Sequence, residues 1–84
     1  MTIEELNSIT EQIHNTISKN VVKYRKEKNF SQLQLAIDIG LTGNAFIARA
    51  ENRTNNAHFN IEHLVKISQI LDIDICQFFK TNPK

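Results

Sequence analysis

The sequence contains few of the residues that break helices or cross-link chains: its 84 residues include two glycines, one proline, one cysteine and no tryptophan. Scarce glycine and proline favour helices. The single cysteine, Cys76, excludes an internal disulfide and fits a reducing compartment. No apolar run approaches the length of a membrane span, and the polar, acidic N-terminus is unlike a signal peptide. We therefore expect one small, soluble, cytoplasmic domain that is rich in helix and makes no contact with a membrane.

Signatures of catalysis and metal binding are missing as well. The sequence has no HExxH or CxxC motif, no glycine-rich phosphate loop and no Ser/His/Asp spacing typical of a hydrolase. His14, His58, His63 and Cys76 lack the spacing of zinc-finger ligands. We therefore expect no enzyme activity, metal, cofactor or small-molecule ligand. We expect His58 and His63 at the surface or the core edge, and Cys76 as a small buried apolar side chain.

Charge is distributed unevenly along the chain, although the net charge is only +1. Residues 1–18 carry three glutamates and no lysine or arginine, whereas residues 19–53 carry seven basic and three acidic side chains. Binding to phosphates requires such a local positive excess rather than a high overall charge. The basic segment therefore favours a nucleic-acid partner, with a merely solvated helix face as the alternative interpretation.

A pattern of two short helices joined by a tight turn runs from Ser31 to Glu51. Ser31 is a good N-cap, and apolar residues recur after it at helical spacing as far as Ile39. Gly40 stands where a left-handed residue would end the first helix. Thr42 is in position to cap a second helix over about 42–51. Two helices joined by a short turn that contains glycine are typical of a helix-turn-helix.

This stretch resembles the helix-turn-helix of the Cro/C1 repressor-type (XRE-like) family of bacterial and phage DNA-binding proteins. The resemblance extends over about residues 16–79, because the flanking segments match the helices that precede and follow the motif in that family. The chain is one residue longer than the family's pattern between the glycine of the turn and the glutamate that ends the second helix. The residues of the motif that carry the resemblance are Ser31, Gln32, Leu35, Ala36, Gly40 and Glu51.

The resemblance implies an all-α fold, a compact five- to six-helix bundle like the lambda-repressor DNA-binding domain, with an extra N-terminal helix. We expect an N-terminal amphipathic helix over 1–15, the helix-turn-helix DNA-binding domain over 16–79 and a flexible tail over 80–84. Thr2 and Glu5 fit a capping box at the start of the first helix. That helix either stops near Asn15 or continues as one long helix, because the residues between the two apolar patterns are weak helix formers.

The resemblance also implies a repressor-like transcriptional regulator that reads the major groove of duplex DNA with the second helix of the motif. Asn44 can pair with adenine and Arg49 with guanine. In the family, an arginine of the first helix often bridges to the glutamate that ends the reading helix, so we predict an ion pair between Arg25 and Glu51. The residues expected at the DNA are Gln32, Thr42, Gly43, Asn44, Ala45, Ala48, Arg49, Asn52, Arg53 and Asn55.

The reading helix offers two residues for its buried position, Phe46 and Ile47. We predict that Ile47 is buried together with Ala50 and that Phe46 is partly exposed. If the reverse held, the set of side chains that faces the DNA would rotate by about 100° around the helix.

Proteins of this class usually bind two half-sites as a dimer, and the chain offers two apolar surfaces for a homodimer. The stripe on residues 6–13 is one of them, and each surface could instead serve to complete a small core. We favour the C-terminal cluster as the dimer interface, formed by Ile73, Ile75, Phe78 and Phe79.

A different class of function is available to the same fold. The chain could be a protein-interaction module or an antitoxin-like partner protein with weak or lost DNA binding, in which the acidic N-terminal helix contacts the partner. The two functions differ in whether the polar residues of the motif converge on one exposed face. The residues that decide this are Gln32, Asn44, Arg49 and Arg53.

Overall fold

The computed structural model describes residues 1–81. It folds them into four α-helices and two 3₁₀ helices, with no β-strand in that range. The helices are α1 (Ile3–Glu27), α2 (Gln32–Asp38), α3 (Ala45–Asn52) and α4 (Ile61–Leu71), and the 3₁₀ helices are Thr54–Asn56 and Ile75–Phe79. The predicted all-α fold is confirmed. The helix count of five to six is corrected to four, because the first two predicted helices are one and the last has 3₁₀ geometry.

α1 is a single helix of 25 residues, so the chain does not break near residue 15. Its polar residues remain helical because their side chains bond to distant parts of the chain. The buried Ser18 hydroxyl donates to the Ala50 carbonyl at 2.8 Å, and the Asn20 amide donates to the Phe78 carbonyl at 2.8 Å. The division of the chain at residue 15 remains a prediction, and residues 82–84 of the predicted tail lie outside the described residues.

Helix ends follow the capping signals of the sequence. Thr2 and Glu5 form the predicted capping box, in which each side chain accepts a hydrogen bond from the other residue's backbone N–H. Ser31 caps α2 through its hydroxyl, which accepts from the Gln34 N–H at 2.9 Å. Asn29 ends the first helix with a left-handed φ of 64°. These local bonds satisfy backbone groups that the helices leave unpaired.

The core lies between the C-terminal half of α1, the other three helices and the C-terminal 3₁₀ helix. Ile47 and Ala50 are fully buried, whereas Phe46 is partly buried with its ring edge against Phe59, at a centroid distance of 5.8 Å. This confirms the predicted orientation of α3. The buried apolar residues are Ile17, Val21, Leu35, Ala36, Ile39, Ile47, Ala50, Phe59, Leu64, Ile67, Leu71 and Phe78.

The C-terminal 3₁₀ helix corrects two predictions. Phe78 is fully buried in the core and is not part of an exposed cluster, while Phe79 is exposed. Cys76, predicted to be buried, is exposed. A 3₁₀ helix has three residues per turn, so Ile75 and Phe78 share the inward face and Cys76 and Phe79 share the outward one. Ile73 and Ile75 pack partly buried against the core, which leaves Phe79 as the most exposed member of the proposed cluster.

No helix among residues 1–81 is long and apolar enough to cross a membrane.

Candidate nucleic-acid interface

The turn between α2 and α3 begins with a Schellman motif. The Gly40 N–H donates to the Ile37 carbonyl at 3.0 Å, and the Leu41 N–H donates to the Ala36 carbonyl at 2.9 Å. Gly40 has a φ of +95°, a conformation that costs glycine little because it has no Cβ. The sequence therefore ends α2 where the predicted helix-turn-helix requires it.

The second helix of the motif begins two to three residues later than predicted. The N-cap is Asn44 and α3 begins at Ala45, whereas we expected Thr42 to cap a helix over about 42–51. Leu41 takes part in ending α2, so the chain needs the next three residues to reverse direction. Thr42 and Gly43 therefore lie in the turn.

A chain of hydrogen bonds links the first residue of α2 to the N-cap of α3. The Gln32 amide donates to a Glu51 carboxylate oxygen at 2.9 Å, and its own oxygen accepts from the Asn44 amide at 3.5 Å. Asn44 makes no side-chain cap bond to α3. Among residues 1–81, its amide is held only by this long contact, and it remains able to reach an outside partner. Gln32, expected at the DNA, has both ends of its amide occupied and positions Asn44.

The predicted ion pair of Arg25 and Glu51 is present. The Arg25 Nε lies 2.7 Å from Glu51 Oε2, a second nitrogen donates to Oε1 at 3.0 Å, and a third bond runs from Nη1 to the Phe30 carbonyl at 2.8 Å. Only 9% of the Arg25 side chain and 3% of the Glu51 side chain are exposed. This two-bond pairing fixes the end of α3 against α1 and so sets the orientation of the helix-turn-helix.

Most of the residues expected at the DNA are accessible. Asn44 and Ala45 are exposed at the start of α3, and Arg49 is exposed one turn later. Gln32, Gly43, Ala48 and Arg53 are partly buried, and the exposed members of the set are Thr42, Asn44, Ala45, Arg49, Asn52 and Asn55.

The Arg53 side chain bonds to α1 and to the loop that follows α3. Its guanidinium donates to the Asn15 side chain at 3.0 Å, to the Ala57 carbonyl at 2.9 Å and to the Glu11 carboxylate. Only 12% of the Arg53 side chain is exposed. Glu11 therefore offsets the Arg53 charge within the chain, and the contact of Arg53 with DNA stays a prediction. No local signal could have revealed this link, since its partners are far apart in the sequence.

The loop after α3 contacts α1 through histidines as well. The rings of His14 and His58 stack with centroids 4.0 Å apart, and the His14 Nδ1 is buried without a hydrogen-bond partner among the described residues. Burial, helped by the nearby His58, lowers the pKa of His14. Burial likewise lowers the pKa of His63, which packs on Phe46. The stacked rings of His14 and His58 thus hold α1 against the loop.

No family model matches the sequence, and no curated protein matches it. Among solved structures, the chain is similar to the N-terminal DNA-binding domain of SinR from Bacillus subtilis, with a TM-score of 0.70 and 27% sequence identity. The match covers 84% of this chain and 100% of that chain. The resemblance to helix-turn-helix domains of the Cro/C1 repressor type, expected from the motif over residues 31–51, is therefore confirmed in the fold of the chain.

Proposed function

We propose that this chain is a sequence-specific, repressor-like transcriptional regulator that binds duplex DNA as a homodimer and reads the major groove with α3. The observation that carries the proposal is the similarity to the DNA-binding domain of SinR over the whole of that domain. A helix-turn-helix places the N-terminal residues of its second helix at base edges. Asn44 and Ala45 occupy those positions here and are exposed.

The contacts divide into two kinds. Asn44 reads adenine through its amide, Arg49 reaches guanine one turn later, and Ala48 offers a methyl group to thymine. Contacts to the sugar-phosphate backbone of the DNA come from residues at or beyond the two ends of α3. They set the register of the protein on the duplex without reading sequence. These flanking residues are Thr42, Gly43, Asn52 and Asn55. Gln32 acts through Asn44, since its amide bonds both Glu51 and Asn44.

The contact between Glu11 and Arg53 favours a second candidate function. It places an acidic residue of α1 beside the end of α3 and offsets one positive charge on the surface expected to meet phosphates. A protein-interaction module on the same fold, with weak or lost DNA binding, would have such a surface. The modest net charge of +1 is compatible with it.

Selection from a random duplex pool tests the proposal against this alternative. The enriched duplex is then titrated beside a scrambled duplex at two salt concentrations, because non-specific phosphate binding weakens steeply with salt. We expect a palindromic site with half-sites about 34 Å apart, bound in preference to the scrambled duplex. Binding without preference, or no binding at low salt, would contradict sequence-specific regulation and favour the interaction module.

A further inference from the structure

The N-terminal part of α1 carries an apolar face that nothing among the described residues covers. Ile3, Leu6, Ile9 and Ile13 are each 45–69% exposed. Leu6, Ile9 and Ile13, followed by Thr16, are spaced alternately three and four residues apart, which is the spacing of one side of a two-helix coiled coil. We call Leu6, Ile9, Ile13 and Thr16 the N-terminal stripe. An apolar face of this kind indicates an interaction surface.

Charge along α1 decides which partner fits this face. Between residues 3 and 18 the helix carries only acidic charges, whereas lysines begin at Lys19 and continue to its end. Among residues 1–81, no ion pair involves Glu4, Glu5 or Lys19. The same helix therefore bears both halves of a charge-complementary surface, and a second copy running in the opposite direction would bring them together.

We propose that two copies of this chain associate through antiparallel pairing of their N-terminal stripes. In this register, Ile9 of one copy packs on Ile13 of the other, and Leu6 packs on Thr16. Glu5, the residue before Leu6, then lies beside Lys19 of the second copy, at the flanking positions where coiled coils place ion pairs. Parallel pairing would instead bring the two acidic N-terminal segments together and leave Glu5 without a basic partner.

The C-terminal 3₁₀ helix supplies a further contact in this arrangement. The Asn20 amide bonds the carbonyls of Phe78 and Lys80, each at 2.8 Å, so Phe79 lies next to α1 at that point. The register brings Thr2 of the second copy opposite Asn20. The exposed Phe79 ring therefore extends the apolar contact, and it is the one member of the predicted C-terminal cluster that takes part. This inference specifies the geometry of the homodimer in the proposed function.

Sedimentation of the whole chain over a concentration series, without DNA, tests the surface. We expect reversible dimers for the native chain and at least about tenfold weaker dimerisation for Ile9→Glu, because each dimer buries two copies of this side chain. Ile61→Glu is the matched control, since Ile61 is an exposed isoleucine on α4. A native chain that stays monomeric, or equal loss of dimer in both variants, would overturn the proposal.

Disulfide trapping tests the direction of pairing. Cys76 is first replaced by serine, because it is exposed. The variants Ile9→Cys and Ile13→Cys are then oxidised separately and as an equimolar mixture. Antiparallel pairing predicts a covalent dimer in the mixture and little in either variant alone. Parallel pairing would give covalent dimers in each variant alone and would contradict the proposed register.

Charge reversal tests the flanking ion pair. Lys19→Glu should weaken dimerisation, and Glu5→Lys in the same chain should restore it, whereas Lys26→Glu should have no effect. Circular dichroism checks that loss of the Glu5 cap leaves α1 helical. Failure of the double variant to restore dimers would overturn the register. Because these tests contain no DNA, their failure is distinguishable from failure of DNA binding, which the selection experiment reports.

Discussion

The two halves of α1 have the same apolar periodicity but different surroundings. In the C-terminal half, Ile17 and Val21 are buried in the core, and the buried Arg25 bonds Glu51 at the end of α3. In the N-terminal half, Leu6, Ile9 and Ile13 are exposed, and the corresponding ion pair is the contact between Glu11 and Arg53. Both halves are therefore fastened to the end of α3 by an ion pair, one buried and one partly exposed. The comparison separates what holds the fold from what is available to a partner.

The buried ion pair should give the largest effect. Glu51→Ala leaves the Arg25 guanidinium buried without its partner, so we expect the free energy of unfolding to fall by about 3–5 kcal/mol. Urea denaturation followed by circular dichroism measures this. Arg25→Ala should cost a similar amount, and the double variant should cost less than the sum of the two. Loss of under about 1 kcal/mol from Glu51→Ala would show that the pair does not hold α1 to α3.

Ile13 and Ile17 lie on either side of the boundary between the two halves of α1 and form a matched pair. Ile17 is 4% exposed and Ile13, one turn earlier, is 45% exposed. Ile17→Ala should lower the free energy of unfolding by about 2–4 kcal/mol because it leaves a cavity. Ile13→Ala should leave it nearly unchanged in dilute solution, since alanine is the better helix former. Equal losses at both positions would mean that the N-terminal half is packed as tightly as the rest.

The partly exposed ion pair of Glu11 and Arg53 should contribute much less to the free energy of unfolding. Glu11→Ala removes the carboxylate partner of Arg53, yet 47% of the Glu11 side chain is exposed and water screens the pair. We expect a loss of under about 1 kcal/mol, measured by the same denaturation. The variant also frees the Arg53 charge, so non-specific binding to random duplex at low salt should increase. Unchanged DNA binding would indicate that Arg53 faces away from the duplex.

Acidification should loosen the N-terminal half gradually. Burial and His58 lower the pKa of His14, so the unfolded chain binds a proton more readily than the folded one. Stability is therefore full above the usual histidine value of about 6.5 and declines as the pH falls below it. Denaturation across this range measures the slope, and His14→Gln should flatten it. His63 contributes in the same direction, so a slope of opposite sign would exclude both assignments.

The local signals of the sequence predicted what depends on neighbouring residues. The caps at Thr2 and Ser31 and the left-handed stop at Gly40 follow from short-range hydrogen bonds. The orientation of α3, with Ile47 inward, follows from helical periodicity and the fixed position of Ala50. Long apolar patterns and a known motif order were therefore sufficient for the fold.

Features that depend on distant contacts could not be predicted. Asn20 weakens a helix by itself, yet it remains helical because its amide bonds carbonyls at the C-terminal 3₁₀ helix. The start of α3 depends on how Leu41 ends α2, which the sequence pattern alone did not reveal. The contact of Arg53 with Glu11 joins helices that are far apart in the sequence, so no local pattern indicates it.

Reading of a base edge by Asn44, the N-cap of α3, is measured by a base-by-base binding profile of the selected duplex. Asn44→Ala is compared with Asn7→Ala, a matched change at an exposed position of the N-terminal half of α1. We predict that Asn44→Ala removes about 1–3 kcal/mol of preference at one base pair of each half-site, while Asn7→Ala leaves the profile unchanged. A profile unaltered by Asn44→Ala, or altered equally by both changes, would contradict reading by α3.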